Sequence, residues 1–159
     1  MKITRVDQFA PRNRTRLIRI TTDTGIEGWA ESTLEGKPQS VPAAIDEFAG
    51  YLIGKDPLRI EHHWQGMYRS SFFRGGAHNM SAIAAIDAAL WDIAGKHYGV
   101  PSYMLMGGNV RDRIRVYAHW GISDLSDEGL ERARERLTML QKMGYTAYKA
   151  GPAGTWRAH

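Results

Sequence analysis

Between Asn79 and Pro101 the chain reads Asn-Met-Ser-Ala-Ile-Ala-Ala-Ile-Asp-Ala-Ala-Leu-Trp-Asp-Ile-Ala-Gly-Lys-His-Tyr-Gly-Val-Pro. Met80, Ile83, Ile86 or Asp87, Leu90 and Ile93 or Ala94 recur at three and four residues, which predicts the longest helix of the chain. Asn79 reads as its N-cap, and Gly99 ahead of Pro101 supplies the stop. Immediately before it stand Phe72, Phe73, Arg74, Gly75 and Gly76. One segment therefore joins an aromatic, arginine-bearing, glycine-rich loop to the helix that would support it.

The N-terminal third follows another period. Lys2 to Phe9, Thr15 to Thr22 and Ile26 to Glu31 have strand-like content, with Asp23-Thr24-Gly25 as turn chemistry between the last two. The prediction is a three-stranded antiparallel meander whose first connection, Ala10 to Arg14, is an exposed loop. From Val41 the spacing turns helical, with Ile45, Phe48, Ala49 and Leu52 on one face, and Gly54 to Pro57 ends that helix. A second helix over about Leu58 to Tyr68 would bury Ile60, Trp64 and Met67.

The last section predicts strand, helix, strand. Ile114, Val116, Ala118 and Trp120 alternate with Arg115, Tyr117 and His119. Ser126 caps a helix with a stripe at Leu130, Ala133, Leu137 and Leu140, Gly144 ends it, and Tyr145 to Ala150 forms a second strand. A connection of that length joins parallel strands. Parallel strands are normally buried on both faces in larger sheets, yet only nine residues follow Ala150. The expectation is an α/β domain begun and left incomplete.

Composition narrows the classes of function. With 43% hydrophobic and 24% charged residues the chain reads as globular, and with no cysteine it has neither disulfides nor thiolate chemistry. Charges recur every few residues at the N-terminus, which is neither a secretory segment nor a membrane span, so a cytoplasmic location and no membrane partner are expected. The net charge of +4 is spread over small groups, Arg12, Arg14, Arg16 and Arg19, then Arg111, Arg113 and Arg115. Arg132, Arg134 and Arg136 alternate with Glu131 and Glu135 as on a solvated helix. No nucleic-acid partner is expected; an anionic small molecule uses the same arginines more economically.

The phrase from Met80 to Lys96, followed by Gly-Val-Pro101, resembles the end of the N-terminal capping domain in the mandelate racemase and muconate lactonizing enzyme branch of the enolase superfamily, and is most similar to its acid-sugar dehydratases of the galactonate type. The resemblance implies a plan: an α+β capping domain over residues 1–112, then at 113–159 the first βαβ unit of a modified TIM barrel. A whole barrel needs roughly 200 residues or more, so most of it would be missing. It also implies chemistry, proton abstraction beside a carboxylate with Mg²⁺ stabilising the enediolate. The complete enzyme would take an aldonate and release water to leave a 2-keto-3-deoxy acid, and would be a homo-oligomer. Its Mg²⁺ ligands lie on the third to fifth barrel strands, so the fragment is expected to bind no metal and to be inactive alone.

The residues themselves supply no substitute site. Asp87 and Asp92, five apart on one helix, share no face well and read as helix-buried acids bonded to neighbouring loops. Glu61, His62 and His63 read as a solvated cluster. There is no His-Glu-x-x-His, phosphate-binding loop, nucleophile elbow or paired Cys-x-x-Cys. Lys149 stands at the C-terminal end of the second parallel strand, the edge where barrel enzymes gather catalytic groups. Racemase-like members have a Lys-x-Lys segment there with the second lysine as base, but here the sequence is Lys149-Ala150-Gly151. Glycine cannot take a proton, so the resemblance tilts towards dehydration, with a racemase, a cycloisomerase or a non-catalytic binding module as rivals. For substrate, Arg74 can pair with a carboxylate, Phe72 and Phe73 can exclude water, and Arg14 belongs to a possible second lid loop. Trp29 and Trp91 read as core residues.

Overall fold

A computed structural model describes residues 1–11, 15–120 and 124–150. It divides into two compact units, Met1–Asn109 and Val110–His159.

In the first unit three strands, β1 (Ile3–Phe9), β2 (Leu17–Thr22) and β3 (Glu27–Glu31), form the antiparallel sheet in the order β1-β2-β3. Alternation along β2 decides its two faces. Ile18, Ile20 and Thr22 are buried, while Leu17, Arg19 and Thr21 look the other way. Arg19 on the outer face joins Asp7 at 2.9 Å and Glu27 at 3.3 Å, one carboxylate from each neighbouring strand. Helices α1 (Ser40–Leu52), α2 (Ile60–Arg69) and α3 (Ala77–Tyr98) and a short α4 (Ser102–Leu105) complete the unit.

The central element is α3. Ala82, Ile83, Ala85, Ile86, Ala89, Leu90, Ile93 and Ala94 are all buried, because the sheet lies against one side of the helix and α1 and α2 against others. Its alanines permit close approach, and Gly28 of β3 completes it. A Cβ at Gly28 would stand 2.0 Å from the Ala89 carbonyl oxygen, a distance no side chain tolerates. Lys96 Nζ donates to the Glu27 carbonyl (2.6 Å) and Asp92 Oδ2 accepts from the Trp29 N–H (2.9 Å), tying the same helix to the same strand.

Two helix boundaries differ from expectation. α3 begins at Ala77, not after Asn79, because Gly75 and Gly76 take φ of 74° and 78° and the Gly76 carbonyl accepts the first helical bond, from Met80 N–H at 3.0 Å. α2 begins at Ile60 because Asp56 holds Leu58 and Arg59 in a turn. The stop is as expected: Gly99 is left-handed (φ 70°), and its N–H and that of Val100 both reach the Gly95 carbonyl.

The second unit contains β4 (Ala118–His119), α5 (Asp127–Lys142) and β5 (Tyr148–Lys149), with β4 and β5 parallel. The strands expected over Ile114–Trp120 and Tyr145–Ala150 are thus two residues each. With one neighbour apiece among the described residues, the ladder has little to extend it, and Ile114 is 78% exposed. The Ser126 cap is present: its hydroxyl accepts from the Gly129 N–H at 3.1 Å. Among the described residues of this unit, Ala118, Ala133 and Leu140 are the buried apolar side chains.

Candidate functional site

In the first unit, the loop between α2 and α3 has an exposed centre between the last turn of α2 and the first of α3. Ser70 Oγ donates to the Met67 carbonyl (2.9 Å) and closes α2, and Gly75 and Gly76 open α3. Between them Phe72 and Phe73 are 93% and 84% exposed, their rings edge to face at 5.2 Å. Ser71 Oγ donates to the Phe73 carbonyl at 2.6 Å and shapes the bend. Arg74 is exposed and stands three residues ahead of Ala77. A guanidinium and the amide-rich end of a helix both favour an anion. Fully exposed paired phenylalanines are costly in water, so this loop has apolar area to offer a ligand or a covering surface. Arg14 lies outside the described residues, and so does Gly151.

In the second unit, Lys149 is exposed at the end of β5, and the parallel register sets it opposite His119 of β4. Ala118 N–H donates to the Ala147 carbonyl (3.0 Å) and Trp120 N–H to the Lys149 carbonyl (2.7 Å), which fixes that register on both sides. Ala118 is buried, and Trp120 Nε1 donates to the Ala133 carbonyl of α5 at 2.9 Å. His119, between them, is exposed on the opposite face. Sequence reasoning passed over His119: the alternation that assigns its face was visible, but not the register that brings it beside Lys149. A hollow of 370 Å³ bounded by Arg115, Val116, Met143, Gly144, Tyr145 and Thr146 occupies the other end of the strand pair, the end that in barrels serves stability.

The remaining candidates are structural. Asp92 accepts from Trp29 N–H and from Lys96 Nζ (2.6 Å), so it is bonded to a strand and to its own helix, and not to a loop. Asp87 is half-buried on a groove of 370 Å³ with Ile60, Glu61, Trp64, Gln65 and Trp91. Burial pushes its carboxyl above the ordinary aspartate value, Glu61 adds to the rise, and a hydrogen bond with Trp91 opposes it. Two corrections concern aromatic side chains. His63 is not solvated but 1% exposed: Nε2 bonds the Asp56 carbonyl at 2.8 Å and Nδ1 the Tyr51 hydroxyl at 3.3 Å. Burial holds its pKa below the ordinary histidine value. Trp29 is not a core residue but 40% exposed, stacked on Phe9 with the Arg19 guanidinium 5.4 Å from its ring, because it lies on the strand face turned away from α3. Trp91 packs partly buried against the core. Among the described residues no three His, Asp or Glu side chains converge to hold a metal ion, and no helix is long and apolar enough to cross a membrane.

Comparison with known proteins supplies the rest. The family model for the N-terminal domain of mandelate racemase / muconate lactonizing enzyme matches residues 9–107. A D-galactonate dehydratase of Xanthomonas oryzae is 56% identical over 149 residues, 94% of this chain and 38% of that protein. One from Variovorax paradoxus is 56% identical over 76% of this chain and 32% of its own length. The chain thus spans well under half the length of these curated relatives. Among solved structures, a member of the enolase superfamily from Salmonella Typhimurium superposes with a TM-score of 0.82 at 34% identity, over 94% of this chain and 42% of that one. An enolase from Pantoea ananatis with bound D-gluconate and Mg superposes with a TM-score of 0.79 at 35% identity, over 94% and 36%.

Proposed function

The chain belongs to the mandelate racemase / muconate lactonizing enzyme family, and from that premise we propose that it is the N-terminal portion of a Mg²⁺-dependent acid-sugar dehydratase acting on an aldonate of the galactonate type, in the cytoplasm. One observation carries the reading: relatives named D-galactonate dehydratase retain 56% identity across 94% of this chain. The D-gluconate and Mg in the Pantoea ananatis neighbour agree with an acid-sugar substrate and with that metal.

The complete enzyme removes the proton beside the carboxylate and expels the neighbouring hydroxyl as water, leaving a 2-keto-3-deoxy acid. A bound Mg²⁺ supplies charge stabilisation to the carboxylate side of that reaction. Among the described residues no side chains converge to hold that ion. What this chain contributes is enclosure and charge. Arg74 pairs with an anionic or hydroxylated end of the substrate, Phe72 and Phe73 keep water from it, and the two glycines at 75 and 76 let the loop close. Lys149 adds a cation at the strand end where barrel enzymes do their chemistry.

The test is a chimera in which residues 1–150 replace the matching segment of the Xanthomonas oryzae relative. It should convert D-galactonate to the 2-keto-3-deoxy acid, whereas the 159-residue chain alone should not. Arg74→Ala in the chimera should lower kcat/KM by about tenfold or more. Turnover by the chain alone, or a folded chimera that dehydrates no aldonate, would overturn the proposal.

A further inference from the structure

We infer that the ion pair of Asp92 and Lys96 on α3 stands in for one residue of a fourth strand, and so closes the outer edge of β3 against pairing with a second copy of this chain. The ladder between β2 and β3 shows where that edge points. Thr22 N–H donates to the Ile26 carbonyl at 3.1 Å and Ser32 N–H to the Arg16 carbonyl at 2.8 Å, so Arg16 with Ser32, Ile18 with Ala30, Ile20 with Gly28 and Thr22 with Ile26 are its hydrogen-bonded pairs. Glu27, Trp29 and Glu31 belong to the alternate pairs, opposite Thr21, Arg19 and Leu17, and their N–H and C=O groups therefore face away from β2. Such a row is a template for another strand.

At its centre the row is already engaged. Lys96 Nζ donates to the Glu27 carbonyl at 2.6 Å, Trp29 N–H donates to Asp92 Oδ2 at 2.9 Å, and the ammonium and carboxylate meet each other at 2.6 Å. In a parallel ladder one residue gives its N–H to the carbonyl of residue j−1 and receives the N–H of residue j+1 on its own carbonyl. With Gly28 as j, Lys96 Nζ takes the place of that N–H and Asp92 Oδ2 the place of that carbonyl. The sequence makes the substitute possible at two points. Asp92 and Lys96 are one helical turn apart on α3, and Gly28 lets the helix come close, since a Cβ there would strike the Ala89 carbonyl and Ile93 Cγ1. An incoming strand would have to displace two charge-assisted bonds and would gain only neutral ones. Once the pair is removed, a second copy is the partner whose edge fits: two β3 strands related by a two-fold axis present each other with the same free groups, and Trp29, exposed beside Phe9, adds apolar area to the contact.

The experiment follows backbone amide exchange of the 159-residue chain by NMR, with sedimentation velocity over about a hundredfold range of concentration. Asp92→Leu should speed exchange of the Trp29 amide by about thirtyfold while leaving Gly28, whose amide lies in the ladder with Ile20, within about threefold of the parent. Asp92→Asn, which keeps an acceptor oxygen, should hold Trp29 within about fivefold. The double variant Asp92→Leu/Lys96→Met should sediment faster as concentration rises, beyond any association of the parent, with protection returning at Trp29 as it associates. Adding Trp29→Pro, which deletes the edge N–H and leaves the bonds to β2 in place, should restore the parent's sedimentation. Unchanged Trp29 exchange in Asp92→Leu overturns the stand-in. A double variant that sediments as the parent does, or whose association survives Trp29→Pro, overturns the closure against a second copy. If Asp92→Leu exchanges freely throughout the chain, Lys96→Met decides: it leaves the Trp29 bond in place, and a Glu27 carbonyl carbon resonance that does not move refutes the inference.

Discussion

In the first unit the central strand β2 is paired on both sides, and the sheet lays its buried face on α3, whereas in the second unit β4 and β5 have only each other among the described residues. The buried apolar cluster follows the same division. It gathers Ile3, Ile18, Ile20, Ile45, Ile83, Leu90 and Ile93 with their neighbours in the first unit, against Ala118, Ala133 and Leu140 in the second. Antiparallel sheets can leave one face to water, and this one does so with Arg19 between two carboxylates. Parallel sheets cannot do so comfortably, and Val110, Ile114, Val116 and Tyr117 stand exposed. The first unit therefore carries the larger core, while the second leaves His119 and Lys149 exposed on a two-stranded ladder.

The largest effect should come from the contact that closes the first unit. Gly28→Val would drive a side chain into the Ala89 carbonyl and lift β3 from α3, costing about 3 kcal/mol or more, read as a fall in the urea midpoint. A variant with an unchanged midpoint would mean that sheet and helix are not the joint the packing describes. Next comes one chemical change made in both units. Leu90→Ala, fully buried in the larger core, should cost about 3 kcal/mol, and Leu140→Ala, whose small surroundings can collapse, about 1 kcal/mol. Equal losses would erase the contrast between the units.

Much of this architecture was legible because local chemistry and tertiary packing agreed. The meander could be read from alternation at Ile18 and Ile20 and from Asp23-Thr24-Gly25, and the end of α3 from Gly99 and Pro101. The start of α3 was misread because Asn79 is a good cap by type, yet two glycines upstream had already set the turn. The strands at 114–120 and 145–150 were over-read because alternation at Ile114 and Val116 meets no ladder partner among the described residues. His63 looked solvated beside Glu61 and His62 because sequence spacing says nothing about Tyr51 and the Asp56 carbonyl, which arrive from another helix and a turn. The loop candidates Phe72, Phe73 and Arg74 needed only composition to be found, but His119 needed a register, a long-range property no local pattern contains.

Capping sharpens the comparison at smaller scale. Helices α1, α2 and α3 have Gln39, Arg59 and Gly76 at the N-cap with no side-chain cap bond, whereas α5 has Ser126. Ser126→Ala should cost about 1 kcal/mol, seen as lost helical circular dichroism on mild heating, while Gln39→Ala should change stability by no more than about 0.5 kcal/mol. A larger loss at Gln39 would show that helix entry in the first unit depends on more than packing.

The smallest effect has the opposite sign and is confined to the first unit, where two groups are linked to pH in opposite directions. His63 has a folded pKa below its ordinary 6.5, so the unfolded chain binds its proton more readily. Its contribution is complete above pH 6.5 and is lost as pH falls through that value towards the folded pKa. Asp87 has a folded pKa above its ordinary 3.8, so the folded chain holds its proton more tightly. Its ionisation weakens the fold as pH rises through the folded pKa, and below pH 3.8 there is no charge to penalise. Asp87→Asn keeps an acceptor for Trp91 and removes the charge facing Glu61. At pH 7 it should raise stability by less than about 1 kcal/mol, the gain being limited because the carboxyl is half-exposed and screened. The gain should vanish near pH 3.5, and since His63 is common to both proteins, the difference between their urea midpoints isolates Asp87. A variant less stable than the parent at pH 7 would mean that the carboxylate has a favourable partner in the groove, and that the pairing with Trp91 outweighs burial beside Glu61.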